Sequence, residues 1–233
     1  MKRQALPQAL IFDLDGTLAN TLPQLALAAR QACQSAGIKP PSVEEARTYV
    51  GNGVNMLLAR SALGRRDIAQ SDVSAQLLKK LRGFFNESYT KGLSENYEVY
   101  PGVREGLKEF RRLGIRLGVC TNKPEVFAKP LLGFMGLLPD FDFVLGGEVL
   151  PWRKPDPRPV LHVCSKLGAA PARCVMAGDS ENDVQGGANA ALCTVFFTYG
   201  YFSGDPDTIR PDYRFDSCAE LTELMEKLAA CAS

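Results

Sequence analysis

A chain of 233 residues with a formal net charge of +1 and 45% apolar residues can bury the core of one large domain or two smaller ones. Its charges are interspersed, which excludes a nucleic-acid-binding stripe and a polybasic membrane anchor. The apolar stretch after Met1-Lys2-Arg3-Gln4 breaks at Asp13, too soon for a signal peptide or a membrane span. The seven cysteines, an odd number with no CxxC, fit free thiols in a reducing compartment, so a cytoplasmic protein is expected.

The apolar run Ala9-Leu10-Ile11-Phe12 predicts a buried strand. It stops at Asp13-Leu14-Asp15-Gly16-Thr17, two carboxylates two residues apart ahead of a Gly-Thr turn. Thr21 is the expected N-cap of a helix with Pro23 in its first turn, running to about Ala36, where Gly37 stops it. Helical patterns continue over residues 43–50, 54–63 and 73–89 with no strand pattern among them. Residues 20–91 therefore form an all-helical insert of about 70 residues.

From Tyr100-Pro101-Gly102 onward the pattern alternates. A helix over 103–113 leads to a strand over 115–120, which ends at Thr121-Asn122-Lys123. A second helix leads to the strand Phe143-Val144-Leu145. A helix over 159–167 precedes a strand over 174–177 that ends at Gly178-Asp179, and a further helix precedes a strand over 194–197. The segment from Gly200 to Pro211 reads as loop. Strands alternating with helices predict a parallel sheet covered on both faces. The expected fold is a doubly wound, Rossmann-like α/β core, residues 1–19 and 92–233, interrupted by the helical insert.

The strand ends carry a coherent polar set. Asp13 and Asp15 follow the first strand, Thr121 and Asn122 the second, and Lys154 lies in the loop after the third. Asp179 follows the fourth, with Asp183 four residues on at a helix start. Ligands in open α/β sheets gather at the carboxyl ends of the strands, so these groups converge. Acids gathered at one point are costly unless a cation joins them. Mg²⁺ prefers carboxylate oxygen and water, while a lysine and backbone N–H groups neutralise a phosphate. The set is what Mg²⁺ and a phosphoryl group together require.

Four stretches in this order, Asp13-x-Asp15-Gly16-Thr17, Thr121-Asn122, Lys154-Pro155 and Gly178-Asp179-x-x-x-Asp183, closely resemble the signatures of the haloacid dehalogenase superfamily of aspartyl-phosphate phosphohydrolases. The resemblance implies that Asp13 is the nucleophile and that Asp15 is first the general acid, then the base. It implies that Thr121 and Asn122 hold phosphoryl oxygens, and that Lys154 pairs with Asp13 and the phosphate. Asp179 completes a Mg²⁺ shell begun by Asp13 and the backbone carbonyl of Asp15. Asp183 is expected in or just outside that shell, although it also reads as an ordinary acid at a helix start. An acid at position 15 favours a phosphatase over a dehalogenase, because a halide leaving group needs no proton.

Superfamily members with an insert at this point use it as a mobile cap, so residues 20–91 are expected to close over the site and exclude water. Within it, Gly51-Asn52-Gly53 reads as a loop that turns backbone N–H groups toward an anion of the substrate. Val50-Gly51-Asn52-Gly53, Thr121-Asn122-Lys123-Pro124, Gly178-Asp179-Ser180-x-Asn182-Asp183 and Thr198-Tyr199-Gly200-Tyr201 are similar to the bacterial phosphoglycolate phosphatases. That similarity, from Leu10 to about Gly200, implies Mg²⁺-dependent hydrolysis of 2-phosphoglycolate, a small phosphorylated acid, with chloride used by some members. A sugar phosphate, a muramic acid phosphate and pyrophosphate are the alternative substrates, and a monomer or homodimer is expected. Asn20, where many relatives have an acid, and Gly186-Gly187, where alanines are common, are not expected to touch the chemistry. The glycine pair is expected to soften a helix start. His162, Trp152 and Cys120 read as structural, Arg60, Arg65 and Arg66 as solvated charges, and Tyr199-Gly200-Tyr201 as a strand-exit turn.

Overall fold

The computed structural model describes residues 5–202 and 204–231. Met1-Lys2-Arg3-Gln4, residue 203 and residues 232–233, all included in the expectations above, lie outside the described residues. The chain runs β1 (Ala9–Phe12), β2 (Ala19–Asn20), α1 (Leu22–Ser35), α2 (Val43–Tyr49), α3 (Val54–Leu63), α4 (Ala75–Lys91), β3 (Glu98–Val99) and α5 (Val103–Arg112). It continues β4 (Arg116–Pro124), α6 (Glu125–Phe134), β5 (Phe143–Gly147), α7 (Pro157–Lys166), β6 (Cys174–Gly178), α8 (Glu181–Asn189), β7 (Cys193–Phe197), β8 (Tyr213–Phe215) and α9 (Cys218–Ala230).

Six strands form one sheet in the order β5-β4-β1-β6-β7-β8, and every pair in it is parallel. The all-apolar sequence of β1 follows from its central place, buried on both faces. Leu10 and Phe12 face one core, with α5, α6 and α9, while Ala9 and Ile11 face the other, with α7 and α8. From β1 the chain builds β4 and β5 outward on one side, then returns past β1 to build β6 on the other, so Asp13 emerges where the strand order reverses.

Helices α1 to α4 lie between β1 and the rest of the sheet in the chain, and their apolar residues join the α5/α6 side of the core. The chain leaves for them and returns through a two-stranded antiparallel ribbon, with Ala19 opposite Val99 and Asn20 opposite Glu98. This ribbon, β8 and α9 are additions to the elements expected from sequence.

Local details also depart from expectation. Thr21 does not cap α1 with its side chain. The Tyr201 hydroxyl instead accepts from the amides of Thr21 (2.5 Å) and Leu22 (2.8 Å), which frees the Thr21 hydroxyl for the site. Strand β4 runs past Cys120 with a register shift between Cys120 and Pro124, so Thr121, Asn122 and Lys123 lie in an irregular stretch that re-aims their side chains.

Gly186 and Gly187 sit inside α8 rather than at its start. A Cβ at Gly187 would stand 2.8 Å from both Met176 Cβ and Thr194 Cγ2, so this residue lets α8 press onto β6 and β7. Gly187→Ala is expected to cost about 1–3 kcal/mol by overpacking, read as a lower urea midpoint.

Among the described residues no helix is long and apolar enough to cross a membrane. All seven cysteines are free thiols.

Candidate active site

The strand ends bring Asp13, Lys154, Asp179 and Asp183 together. Lys154, only 2% exposed, donates to Asp13 Oδ1 (3.0 Å), Asp183 Oδ1 (2.5 Å) and the Cys120 carbonyl (2.5 Å). All three ammonium protons are thereby placed. Asp183 also reaches back from the first turn of α8, its Oδ2 accepting from the amide (3.0 Å) and hydroxyl (2.6 Å) of Ser180. Asp183 thus caps the helix, as expected of an acid at a helix start, and also pairs with Lys154.

Asp179 is held on every side. Its Oδ1 accepts from the Thr17 hydroxyl (2.8 Å) and its Oδ2 from the Tyr201 amide (2.7 Å). Gly16, at φ +85°, and Gly200 approach so closely that a methyl group on either would overlap the carboxylate. Gly16 is therefore needed twice, for its left-handed backbone and for its missing side chain.

Carboxylate oxygens of Asp13, Asp179 and Asp183 lie within 4.8 Å of one another. Three acids meet one ammonium, and the electrostatics register the shortfall. Burial, opposed by Lys154 and reinforced by Asp183 and Asp15, raises the Asp13 carboxyl to about 6. Burial, then Asp183 and Asp13, holds Asp179 well above the usual carboxylate range. Burial works against the charge of Lys154, but Asp13 and Asp183 outweigh it and the amine is held above its ordinary value. An all-oxygen acidic cluster short of positive charge fits a hard dication.

A stability prediction follows. Because their folded-state pKa values are raised, Asp13 and Asp179 lend stability through bound protons at low pH; the share of Asp13 is lost as pH rises through about 6, and that of Asp179 is lost above the usual carboxylate range. In chelator the protein is expected to melt at a lower temperature at pH 8 than at pH 5.5. Added Mg²⁺ should raise Tm at pH 8 and much less at pH 5.5, as read by calorimetry.

Asp15 stands apart from the three clustered acids. Its Oδ1 accepts from the Thr21 hydroxyl (2.6 Å) and from Lys123 Nζ (2.9 Å), which also lies 3.2 Å from Oδ2. Thr121 is buried, its hydroxyl accepting from the Lys123 amide (3.2 Å). Asn122 is committed to the backbone of the lysine loop: its Oδ1 accepts from the Lys154 amide (3.0 Å) and its Nδ2 donates to the Lys154 carbonyl (3.0 Å).

The loop Gly51-Asn52-Gly53 meets these strand ends. The Gly51 carbonyl accepts from Asn122 (2.9 Å) and Asn182 (3.2 Å), and the Asn52 carbonyl from Arg153 (2.9 Å). It is carbonyls, pointed at core donors, that make these contacts. Between loop and strand ends lies a cavity of about 240 Å³. Asp13, Asp15, Thr121 and Asp179 line its floor, and Arg47, Arg60 and Arg66 line the insert side.

Arg60 is not the solvated charge expected. It donates to the carbonyls of Tyr49 and Arg66 (both 2.9 Å), tying the end of α2 to the loop beyond α3. His162 lies tilted against Phe143, with ring centroids 5.8 Å apart. Asn20 accepts from the Leu22 amide (3.2 Å) and the Tyr201 hydroxyl (3.1 Å). Residues that the sequence reading passed over as site members are Thr17, Thr21, Lys123 and Tyr201. For Lys123 the only signal was its place directly after Thr121-Asn122.

A family model described as haloacid dehalogenase-like hydrolase matches residues 7–191, and the chain belongs to that family of hydrolases. Among its relatives, the phosphoglycolate phosphatase of Thiobacillus denitrificans is 43% identical over 89% of this chain and 91% of its own. That of Psychrobacter arcticus is 38% identical over 94% of this chain and 96% of its own. The crystal structure of a protein described as a predicted phosphoglycolate phosphatase from Haemophilus somnus 129pt superposes with a TM-score of 0.86 at 32% identity. That match covers 95% of this chain and 99% of the other.

Proposed function

We propose that the protein is a cytoplasmic, Mg²⁺-dependent phosphatase that hydrolyses 2-phosphoglycolate to glycolate and phosphate through a phosphoaspartyl intermediate. The observation that carries this is Asp13 paired with buried Lys154 and clustered with Asp179 and Asp183 beneath a small cavity. The names of relatives matched over about nine-tenths of the chain support the substrate. The arginines on the insert side support a substrate with a second negative group. Residues 20–91 act as a cap on the core of residues 1–19 and 92–233, and Gly51-Asn52-Gly53 is the part of the cap that closes over the substrate.

In the first step an Asp13 oxygen bonds to phosphorus as the bond from phosphorus to the glycolate oxygen breaks. Asp15 gives its proton to that leaving oxygen. In the second step Asp15, now a carboxylate, takes a proton from water, whose oxygen bonds to phosphorus. The bond to Asp13 breaks, releasing phosphate and restoring both acids. Lys154 steadies Asp13 Oδ1 and offsets phosphoryl charge. The Thr121 hydroxyl and the backbone amide of Asn122 hold phosphoryl oxygens, while the Asn122 side chain keeps the Lys154 loop in place. Asp13, Asp179 and the Asp15 carbonyl would hold Mg²⁺, with Asp183 close by, and the ion would supply positive charge that offsets the phosphoryl oxygens.

The substrate is tested by kcat/KM over 2-phosphoglycolate, a sugar phosphate, a muramic acid phosphate and pyrophosphate. The highest value is expected for 2-phosphoglycolate, because contacts made in the transition state set the ranking. A sugar phosphate in first place would overturn the substrate and leave the reaction standing.

A further inference from the structure

Lys123 is a buried cation that the reaction steps above do not use. It is 5% exposed, and its Nζ spans the Asp15 carboxylate and the Tyr89 hydroxyl (2.6 Å). The same ammonium lies 4.6 Å from the centroid of the Tyr89 ring. Tyr89, on α4, donates to Gln24 Oε1 (3.1 Å) on α1. The Gln24 amide in turn donates to the carbonyls of Gly92 (3.3 Å), Leu93 (3.0 Å) and Glu95, the chain returning from the insert to the core. A continuous hydrogen-bonded chain thus leads from the insert's exit segment to one carboxylate at the strand ends. A lysine leaves water only where its charge has a task or a partner.

The two oxygens of Asp15 are unequal. Oδ1 accepts from both the Thr21 hydroxyl and Lys123, whereas Oδ2 has only the longer 3.2 Å contact. An oxygen already accepting two hydrogen bonds is the poorer place for a proton.

We propose that Lys123, held by Tyr89, is a positioning residue for proton delivery. With Thr21 it occupies Oδ1, leaving Oδ2 of this cavity-lining residue to carry the proton. In the transfer the Oδ2–H bond breaks and its proton goes to the ester oxygen, whose bond to phosphorus breaks with both electrons. Tyr89, Gln24 and Thr21 all belong to residues 20–91, so the acid is correctly aimed only while the insert is seated as it is here. The proposal rests on the assignment of Asp15 as proton donor.

The test compares kcat/KM for 2-phosphoglycolate, whose alkoxide needs a proton, with that for p-nitrophenyl phosphate, whose phenolate does not. This constant reports the steps up to phosphoryl transfer, ahead of intermediate hydrolysis. The full chain with Mg²⁺ is used, and the folded fraction of each variant is fixed by thermal melting. Asp15→Asn should lose about 10²-fold or more in excess on the alkyl ester. Lys123→Met should show the same bias at about tenfold, Lys123→Arg should recover most of it, and Tyr89→Phe should show it at several-fold. Where Lys123→Met does not fold, Tyr89→Phe and Lys123→Arg decide. Equal losses on both esters in the Lys123 and Tyr89 variants, with Asp15→Asn still biased, would overturn the positioning role. Equal losses in Asp15→Asn would overturn the proton-donor assignment itself, and the positioning role with it.

Discussion

Asp13→Asn is expected to abolish turnover, with phosphate release reduced by about 10⁴-fold or more, as when other covalent nucleophiles are removed. The amide has the carboxylate's shape but no charge with which to attack phosphorus. Rapid quenching with labelled substrate should trap no phosphoenzyme. The fold is expected to survive, because Lys154 keeps Asp183 (2.5 Å) and the Cys120 carbonyl as partners. In chelator the variant should melt at or above the wild-type temperature, since one of three mutually repelling acids has become neutral. A variant that still turns over would mean that another group attacks phosphorus.

Lys154→Met is expected to damage both activity and stability. Breaking a buried ion pair by removing one partner leaves an uncompensated charge, a cost of about 3–5 kcal/mol, and here two carboxylates lose the same ammonium. The raised pKa of Lys154 means that its contribution is present throughout the range below its ordinary value and lost only in strong alkali. The deficit in the variant instead varies with the stranded acids. It should be largest at pH 8 and shrink toward pH 5 as they take up protons. Urea unfolding at the two pH values measures this. Lys154→Arg retains charge but cannot place three compact donors on the same three oxygens, so it should regain part of the stability and little of the activity.

The parts of the molecule legible in the sequence were those whose cause is local. The run Ala9-Leu10-Ile11-Phe12 is apolar because β1 is buried on both faces, and Asp13 marks its end because the strand end opens into the site. The same holds for Thr121, Lys154 and Asp179, each announced by a strand or loop boundary. What stayed hidden depends on partners far along the chain. The ribbon of β2 and β3 joins residues about 80 apart with two residues a side, too few for any periodicity to register. Thr21 looked like a cap because threonine usually is one. Only the arrival of Tyr201, 180 residues later, takes over that task. The burial of Lys123 depends on Asp15 and Tyr89 flanking it together. β8 is three residues long, and its strand character comes from lying beside β7.

The enclosure of Asp179 has a thermodynamic consequence. With Thr17 and the Tyr201 amide on its two oxygens and glycine backbone on either side, its side chain has one orientation before any cation arrives. The rotamer entropy that a mobile ligand would surrender on binding has already been spent in folding. Affinity for the proposed cation would therefore be set by charge and dehydration, with little left for the side chain to lose. As the metal ligand proposed above, a carboxylate fixed in this way would suit the short metal–oxygen distance of Mg²⁺ better than the longer, adaptable shell of Ca²⁺.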